Sequence, residues 1–352
     1  MEIKMAINKG LGLPQQKGTF EIKGVVTNTL KENFYSEKKT KTGKDFRAIN
    51  FGITFDKNQT LFIGLTGMPQ DNVYFSKRGD KGEKPTTEKV AWKDRYTFRK
   101  EGYTLIGVNV GLEKTDNGKG VEVNDIKHLT PFDACKYISE NLKDGVSVYV
   151  RGNVEFSHYT NQGGETQHSS KLVITQISMC KPVDFEEKDF VPTASFQQPL
   201  VFTGGRKEVN ETLLEALVVN YATVENVDFV IKDEKLSTTF KKNLKTYTAV
   251  KVWGNIETVK NTEVVEDSDD SDGWGEKNPL DKVTGQYRKN FVITGADRES
   301  LDRETFTEKE IDKAIETMKA NDTAKKDFGE DDWGGEDSKI EGKKEEDDDT
   351  AW

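Results

Sequence analysis

Apolar and polar residues alternate along most of this chain with the period of half-buried strands. Thr19–Thr29 reads as a first strand. A polar, lysine-rich segment from Lys31 to Asp45 follows, with Phe34 and Tyr35 set in it. Arg47, Ile49, Phe51, Ile53 and Phe55 then mark a second strand, and Leu61, Ile63 and Leu65 a third. Residues 68–104 interrupt the pattern with a charged, β-rich insertion holding Tyr74, Phe75, Trp92, Tyr96 and Phe98. Strand character resumes at Leu105, Ile106, Val108, Val110 and Leu112. A helix is predicted from Thr130: Thr130 is a capping residue, Pro131 suits the first helical position, and Asp133 favours the first turn. Cys135, Ile138 and Leu142 make its apolar stripe, and Gly145 is suited to close it. Val146, Val148, Val150, Val154 and Phe156 form a long strand, Asn161–Gly164 a turn, and Lys171–Met179 the returning strand.

Three strands, an insertion, a helix and a hairpin is the order of an OB-fold, a small five-stranded barrel with a helix between its third and fourth strands. Part of this order recurs. Asn141-Leu142-Lys143 returns as Asn243-Leu244-Lys245, and Gly152-Asn153-Val154-Glu155 as Gly254-Asn255-Ile256-Glu257, both 102 positions on. Lys171–Thr175 returns as Asn290–Thr294 at an offset of 119. The 17 extra residues fall in an acidic connection. A repeat of this period implies a duplicated barrel rather than a solenoid. Its front half, from Pro199 to Asp233, matches poorly, so the second barrel is expected to be smaller or degenerate.

The expected class is therefore mainly β. Residues 1–181 form an OB-fold domain with the insertion at 68–104, and 182–199 form a linker. Residues 200–321 form a second OB-like domain, with an acidic loop at 262–285 and a C-terminal helix at 307–320. That helix begins in the capping-box form Thr307-Glu308-Lys309-Glu310, and Ile311, Ile315 and Met318 line the face expected to pack on the second barrel. Residues 322–352 form an acidic tail, expected to be disordered because it has no apolar run to offset its ordering entropy.

Charge sharpens this division. The whole chain carries −10. Asp327–Trp352 has 12 acids against 3 lysines, and Glu263–Glu276 has 7 acids and no base. Without them the remainder is net +6, a mildly basic body with two acidic appendages. Cys135 and Cys180 are too few for a disulfide framework or a four-ligand zinc site, and His128, His158 and His168 lack ligand spacing. No apolar run approaches 18 residues, so a membrane partner is not expected and a cytoplasmic location is.

The stretch Val148–Tyr159 and the ending Asp347-Asp348-Asp349-Thr350-Ala351-Trp352 are similar to the single-stranded-DNA-binding proteins of bacteria and their phages. Those proteins carry a valine-rich strand with glycine at the position of Gly152 and a base-stacking aromatic at that of Tyr159. This chain departs from them at Asn153 and Glu155, where they often carry Arg. The resemblance implies a non-enzymatic protein of replication, recombination or repair that coats single strands without sequence preference. It also implies that Asp347, Asp348, Asp349 and Trp352 recruit a polymerase or helicase-primase. The two-barrel layout, unlike the short bacterial form, implies phage or mobile-element origin.

Single-strand binding needs aromatic faces for bases and cations for phosphates. Alternation puts Tyr149, Arg151 and Tyr159 on the polar face of the long strand, and Lys251 and Trp253 on that of its repeat. The loop between the first two strands adds Lys38, Lys39, Lys41 and Lys44 beside Phe34 and Tyr35, with Arg47 just beyond and Trp92 in the insertion. Trp274, Trp333 and Trp352 lie among acids, a combination of negative charge and flat ring that imitates nucleic acid and would compete for a basic groove. The chain shows no catalytic motif, phosphate loop or paired helical histidines, and no cofactor or metal is expected. An OB-fold RNA-binding protein, a β-rich protein-interaction or structural protein, and a metal-dependent nuclease remain as alternatives.

Overall fold

The computed structural model describes residues 10–79, 83–160, 166–260 and 287–327. In the first half, β1 (Gly18–Thr27), β2 (Tyr35–Lys39), β3 (Asp45–Asp56) and β4 (Gln59–Gly67) come first. A separate small sheet follows, made of β5 (Asn72–Lys77), β6 (Thr86–Ala91) and β7 (Thr104–Leu105). The half is completed by β8 (Val108–Asp116), β9 (Glu122–Leu129), α1 (Pro131–Asn141), β10 (Ser147–Thr160) and β11 (Thr166–Met179). Ile49, Phe51, Ile53 and Phe55 of β3 and Leu61, Ile63 and Leu65 of β4 are all buried, on the alternation that predicts them. In α1 the Thr130 hydroxyl accepts the Asp133 backbone N–H at 3.2 Å, which caps the helix. The helix stops at the extended backbone of Leu142, and Gly145 (φ +85°) lies beyond it in the turn to β10 rather than at the helix end.

Hydrogen bonding links the strands of this half in the cycle β1–β3–β4–β11–β10–β1. β4 and β11 run parallel and meet through Gly64 and Val173; the other pairings of the cycle are antiparallel, and β8 adds to β11 in parallel outside it. This is the strand order of an OB-fold. The second half is β12 (Thr193–Lys207), β13 (Thr212–Val219), β14 (Val224–Ile231), α2 (Glu234–Asn243), β15 (Thr248–Lys260) and β16 (Tyr287–Asp302). It repeats the cycle as β12–β13–β14–β16–β15–β12, again with one parallel contact, Val230 to Val292. The front half of this unit, expected to be degenerate, supplies three full strands.

Several boundaries differ from the sequence expectation. Residues 193–199 are not linker but the start of β12, which pairs with both β1 and β15. Ala194, Phe196 and Leu200 are buried there, and the buried amide of Gln198 donates to the Gln16 carbonyl at 2.9 Å. Residues before β1 belong with the second unit: Leu11 packs in the core beneath it, and Gln16 exchanges hydrogen bonds with the Val219 backbone. A final helix, α3 (Glu308–Asp327), sets Ile311, Ala314, Ile315 and Met318 against that same core. It continues past residue 321, since Ala324, Lys325 and Lys326 are good helix formers. The acidic loop at 262–285, the turn at 161–164 and the tail beyond 327 lie outside the described residues, and Trp274, Trp333 and Trp352 with them.

The two units share one core. Phe156, from the far half of β10, packs edge-on against Phe229 and Phe291 of the second unit at 6.1 and 5.3 Å. Phe196 joins the same group, and each aromatic pair adds about 0.5–1.5 kcal/mol beyond its buried area. In return, the Thr258 backbone N–H of β15 donates to Gln59 of the first unit at 3.2 Å, and its hydroxyl to the Thr60 carbonyl. Each long hairpin thus clasps the other unit. Among the described residues, no helix is long and apolar enough to cross a membrane.

Candidate nucleic-acid interface

The glycines shared by the repeat sit where each hairpin bends. A bulge falls between Arg151 and Gly152 in the β10–β11 ladder, and an equivalent one between Trp253 and Gly254 in β15–β16. A Cβ on Gly152 would lie 1.9 Å from the Val173 carbonyl oxygen, and one on Gly254 1.8 Å from that of Val292. Only glycine permits this approach.

Paired residues of an antiparallel ladder point to the same side. Glu21 faces Arg151 on one side and Ser195 on the other, and Gln197 faces Trp253. One continuous outer surface therefore runs over β11, β10, β1, β12, β15 and β16. It carries Lys23, Tyr149 and Arg151 from the first unit and Lys251 and Trp253 from the second. The strands bearing Arg151 and Trp253 are three strand spacings apart, about 14 Å. Trp253 is 41% exposed, and a Cβ on Gly295 would lie 2.6 Å from its indole nitrogen. The indole thus lies against bare backbone and leaves its other side to solvent.

Glu21 tempers this surface. Its carboxylate binds Arg151 at 2.7 Å and accepts a hydrogen bond from Tyr149. Burial, then that carboxylate, pushes the Tyr149 phenol above its usual value. A polar cavity of about 300 Å³ opens beside Arg151 at the bulge, lined in part by Thr19, Asn153, Thr175 and Gln176.

The remaining expected site residues lie elsewhere. Lys38, Lys39, Lys41 and Lys44 are exposed on the β2–β3 ribbon. Lys39 pairs with Asp45 at 3.2 Å, and the Lys38 ammonium sits 5.9 Å from the Phe46 ring. Lys41 and Lys44 have no ion pair among the described residues. Tyr35 begins the ribbon, donates to Glu37 at 2.7 Å and, through burial and that bond, is pushed up to about 12. Phe34 is a core residue, edge-on to Phe51, because the short 3-10 turn carrying it faces inward. Arg47 is enclosed as well: it stacks 3.8 Å from the Phe132 ring and binds Glu37 at 2.9 Å. Neither Phe34 nor Arg47 offers a free face to a ligand. Tyr159 is half-exposed but lies about 26 Å along β10 from Arg151, where its neighbour His158 bonds the buried Glu225 of the second unit at 2.8 Å.

Trp92 belongs to a second feature that the sequence did not disclose. The small sheet is pinned to the N-terminus of α1 by Asp133, which accepts Arg95 at 2.9 Å, Tyr96 at 2.6 Å and Thr130 at 2.6 Å. Burial works against the Asp133 charge, but these hydrogen bonds outweigh it and hold the carboxyl below its usual range. Between the small sheet and the β2–β3 ribbon opens a cleft of about 660 Å³. Its walls carry Phe46 and Met68 on one side and Tyr74, Trp92 and Ile106 on the other, with Lys171 also in the lining. Tyr74 alternates with the buried Val73 and Phe75, which marks it as outward-facing.

Residues 77–331 match the family model described as YorF. The chain belongs to the YorF family. The match takes in most of the small sheet, α1 and the whole second unit. No curated protein matches this YorF-family chain. Among solved structures, it is similar to the wild-type single-stranded DNA binding protein from Thermus aquaticus, with a TM-score of 0.36 and 9% identity over 81% of this chain and 94% of that one. It is also similar to Rim1, a mitochondrial single-stranded DNA binding protein from S. cerevisiae, with a TM-score of 0.22 and 12% identity over 47% of this chain and 96% of that one. Among the described residues, no group of three or more His, Cys, Asp or Glu side chains is placed to hold a metal ion.

Proposed function

We propose that this YorF-family protein binds single-stranded DNA without sequence preference and protects it during replication or recombination, without catalysing a reaction. The supporting observation is the continuous outer sheet that sets Tyr149 and Arg151 of one unit beside Lys251 and Trp253 of the other. Stacking on an aromatic such as Trp253 tolerates every base, because each has a flat face. Arg151, Lys23, Lys251 and the ribbon lysines supply the cations that a phosphate backbone needs. The basic balance of the body without its two acidic segments fits the same partner.

From sequence alone, Asp347, Asp348, Asp349 and Trp352 are the recruiting end for a polymerase or helicase-primase, in a phage-encoded protein acting in the host cytoplasm. The acidic segments around Trp274 and Trp333 would compete with DNA for the basic surface. Equilibrium titration of labelled oligo-dT, oligo-rU and duplex DNA at two salt concentrations tests the binding reading. Preference for oligo-dT, weakening with salt, supports it; equal or stronger binding of oligo-rU favours an RNA partner, and no binding of any strand refutes it.

A further inference from the structure

The cleft between the small sheet and the β2–β3 ribbon has a built architecture. The small sheet has its own core of Val73, Phe75, Val90 and Leu105, on which Trp92 packs. That core turns Tyr74 outward at 48% exposure, and the Ile106 N–H donates to the Tyr74 carbonyl at 2.8 Å. Arg95 stacks 4.3 Å from the Trp92 ring and, through Asp133, fixes that wall to α1. The opposite wall is fixed through Gly67, where a Cβ would lie 2.2 Å from the Phe132 nitrogen. The wall with Tyr74 and Trp92 and the strand leading to Met68 on the other side are thus both anchored at the start of α1.

The chemistry of the lining is selective. Among the described residues it contains no Asp or Glu, and its neutral polar groups include Gln70, Asn72 and Thr87. Its one cation among the described residues is Lys171. Behind Lys171 lies Lys289, which donates to the Ser170 carbonyl and is lowered to about 8 by burial and by Lys171. Glu155 stands opposite Lys171 in the β10–β11 ladder, its own carboxyl raised by burial. The exposed lysines of the ribbon flank the other side, where Thr40 and Phe46 enter the lining. Aromatic walls, neutral hydrogen-bonding groups and a cationic end suit a nucleobase with a phosphate attached. The volume falls within the roughly 300–1,000 Å³ of small-ligand sites.

We propose that this cleft takes an unstacked nucleobase of a DNA single strand, with Lys171 on the adjoining phosphate, and so selects single strands over duplex. The proposal rests on the strand-binding function above and adds a base-reading site away from the central sheet. A base inside a duplex must leave its stack to enter, whereas a single strand offers bases already free.

The test uses the full chain and four variants, Tyr74→Ala, Phe46→Ala, Lys171→Gln and, as a control on the central sheet, Trp253→Ala. Oligo-dT and an abasic deoxyribose-phosphate oligomer of equal length serve as probes, and circular dichroism checks the fold. Tyr74→Ala is expected to lose roughly 5- to 100-fold in affinity for oligo-dT, with no change for the abasic oligomer. Phe46→Ala is expected to act in the same direction. Lys171→Gln is expected to lower the salt dependence by about one phosphate contact on both probes. Wild-type affinity for oligo-dT in both aromatic variants, with Trp253→Ala still weakening it, would overturn the cleft proposal and leave strand binding standing. Equal losses on both probes would also overturn it. If the wild-type chain fails to bind oligo-dT, the function itself has failed.

Discussion

Phe20 and Phe196 stand opposite each other across the antiparallel β1–β12 pair, and each also faces a glycine, Gly152 or Gly254, on its other side. The two units are therefore related by a pseudo-two-fold axis through this pair. The relation extends to the bulges and to the parallel contacts at Val173 and Val292. It also makes one sheet of two units, which is what brings Arg151 and Trp253 onto one surface.

Gly152→Ala is expected to destabilise the fold by at least about 1–3 kcal/mol, the usual cost of overpacking a core. Its Cβ would meet the Val173 carbonyl and, at 2.5 Å, the Phe20 ring. Gly254→Ala should behave alike, by symmetry. Gly43→Ala is a useful contrast: it strains a left-handed turn but meets no atom within 4 Å. Denaturant unfolding of the three variants checks the order, with Gly43→Ala the mildest.

Glu21→Gln is expected to tighten oligo-dT binding and steepen its salt dependence by about one contact. The change removes the charge that neutralises Arg151 at 2.7 Å while keeping its shape. Affinity measured at several salt concentrations decides this. Weaker binding would mean that Glu21 positions Arg151 for phosphate instead of occupying it.

Asp133 should make docking of the small sheet acid-sensitive. Its carboxyl is lowered in the folded chain, so its contribution is present above the ordinary carboxylate range and is lost as pH falls through the lowered value. Amide exchange across residues 86–105, followed from neutral to acid pH, should show early loss of protection in the wild-type chain. Asp133→Asn should show less protection at neutral pH and a flatter pH profile.

Lys289 reverses the usual sign. Its folded value of about 8 lies below the ordinary 10.5, so the unfolded chain binds more protons between those limits and stability rises with pH across that window. Below it the ammonium is buried in the folded state at a cost. Lys289→Met should remove the rise and stabilise the chain at pH 7 by on the order of 2–3 kcal/mol, less the lost bond to Ser170. Urea unfolding at pH 7 and pH 10 measures both effects.

Legibility followed the range of the interactions. Thr130, Pro131 and Asp133 announce α1 because capping is local. Gly152 and Gly254 announce the repeat because close backbone approach tolerates no substitute. The start of β12 is not legible because Gln197, Gln198 and Pro199 break its apolar run, and the buried Gln198 amide donates not only to the adjacent Pro199 carbonyl but to that of Gln16, far away in sequence. Arg47 looked like a free cation because its partners Glu37, Phe132 and Asp133 meet it only after folding. The cleft is not legible for the same reason: one wall is held to α1 by Asp133 and the other by the close approach of Gly67 to Phe132, contacts made only on folding.

The most direct measurement of the central claim is oligo-dT titration of wild-type and Trp253→Phe chains, followed by tryptophan emission and by anisotropy of the oligomer at two salt concentrations. The account predicts quenching in the wild-type chain, affinity that falls with salt, and reduced quenching with weaker binding in the variant. Wild-type chain that neither quenches nor changes the oligomer's anisotropy at low salt would contradict it.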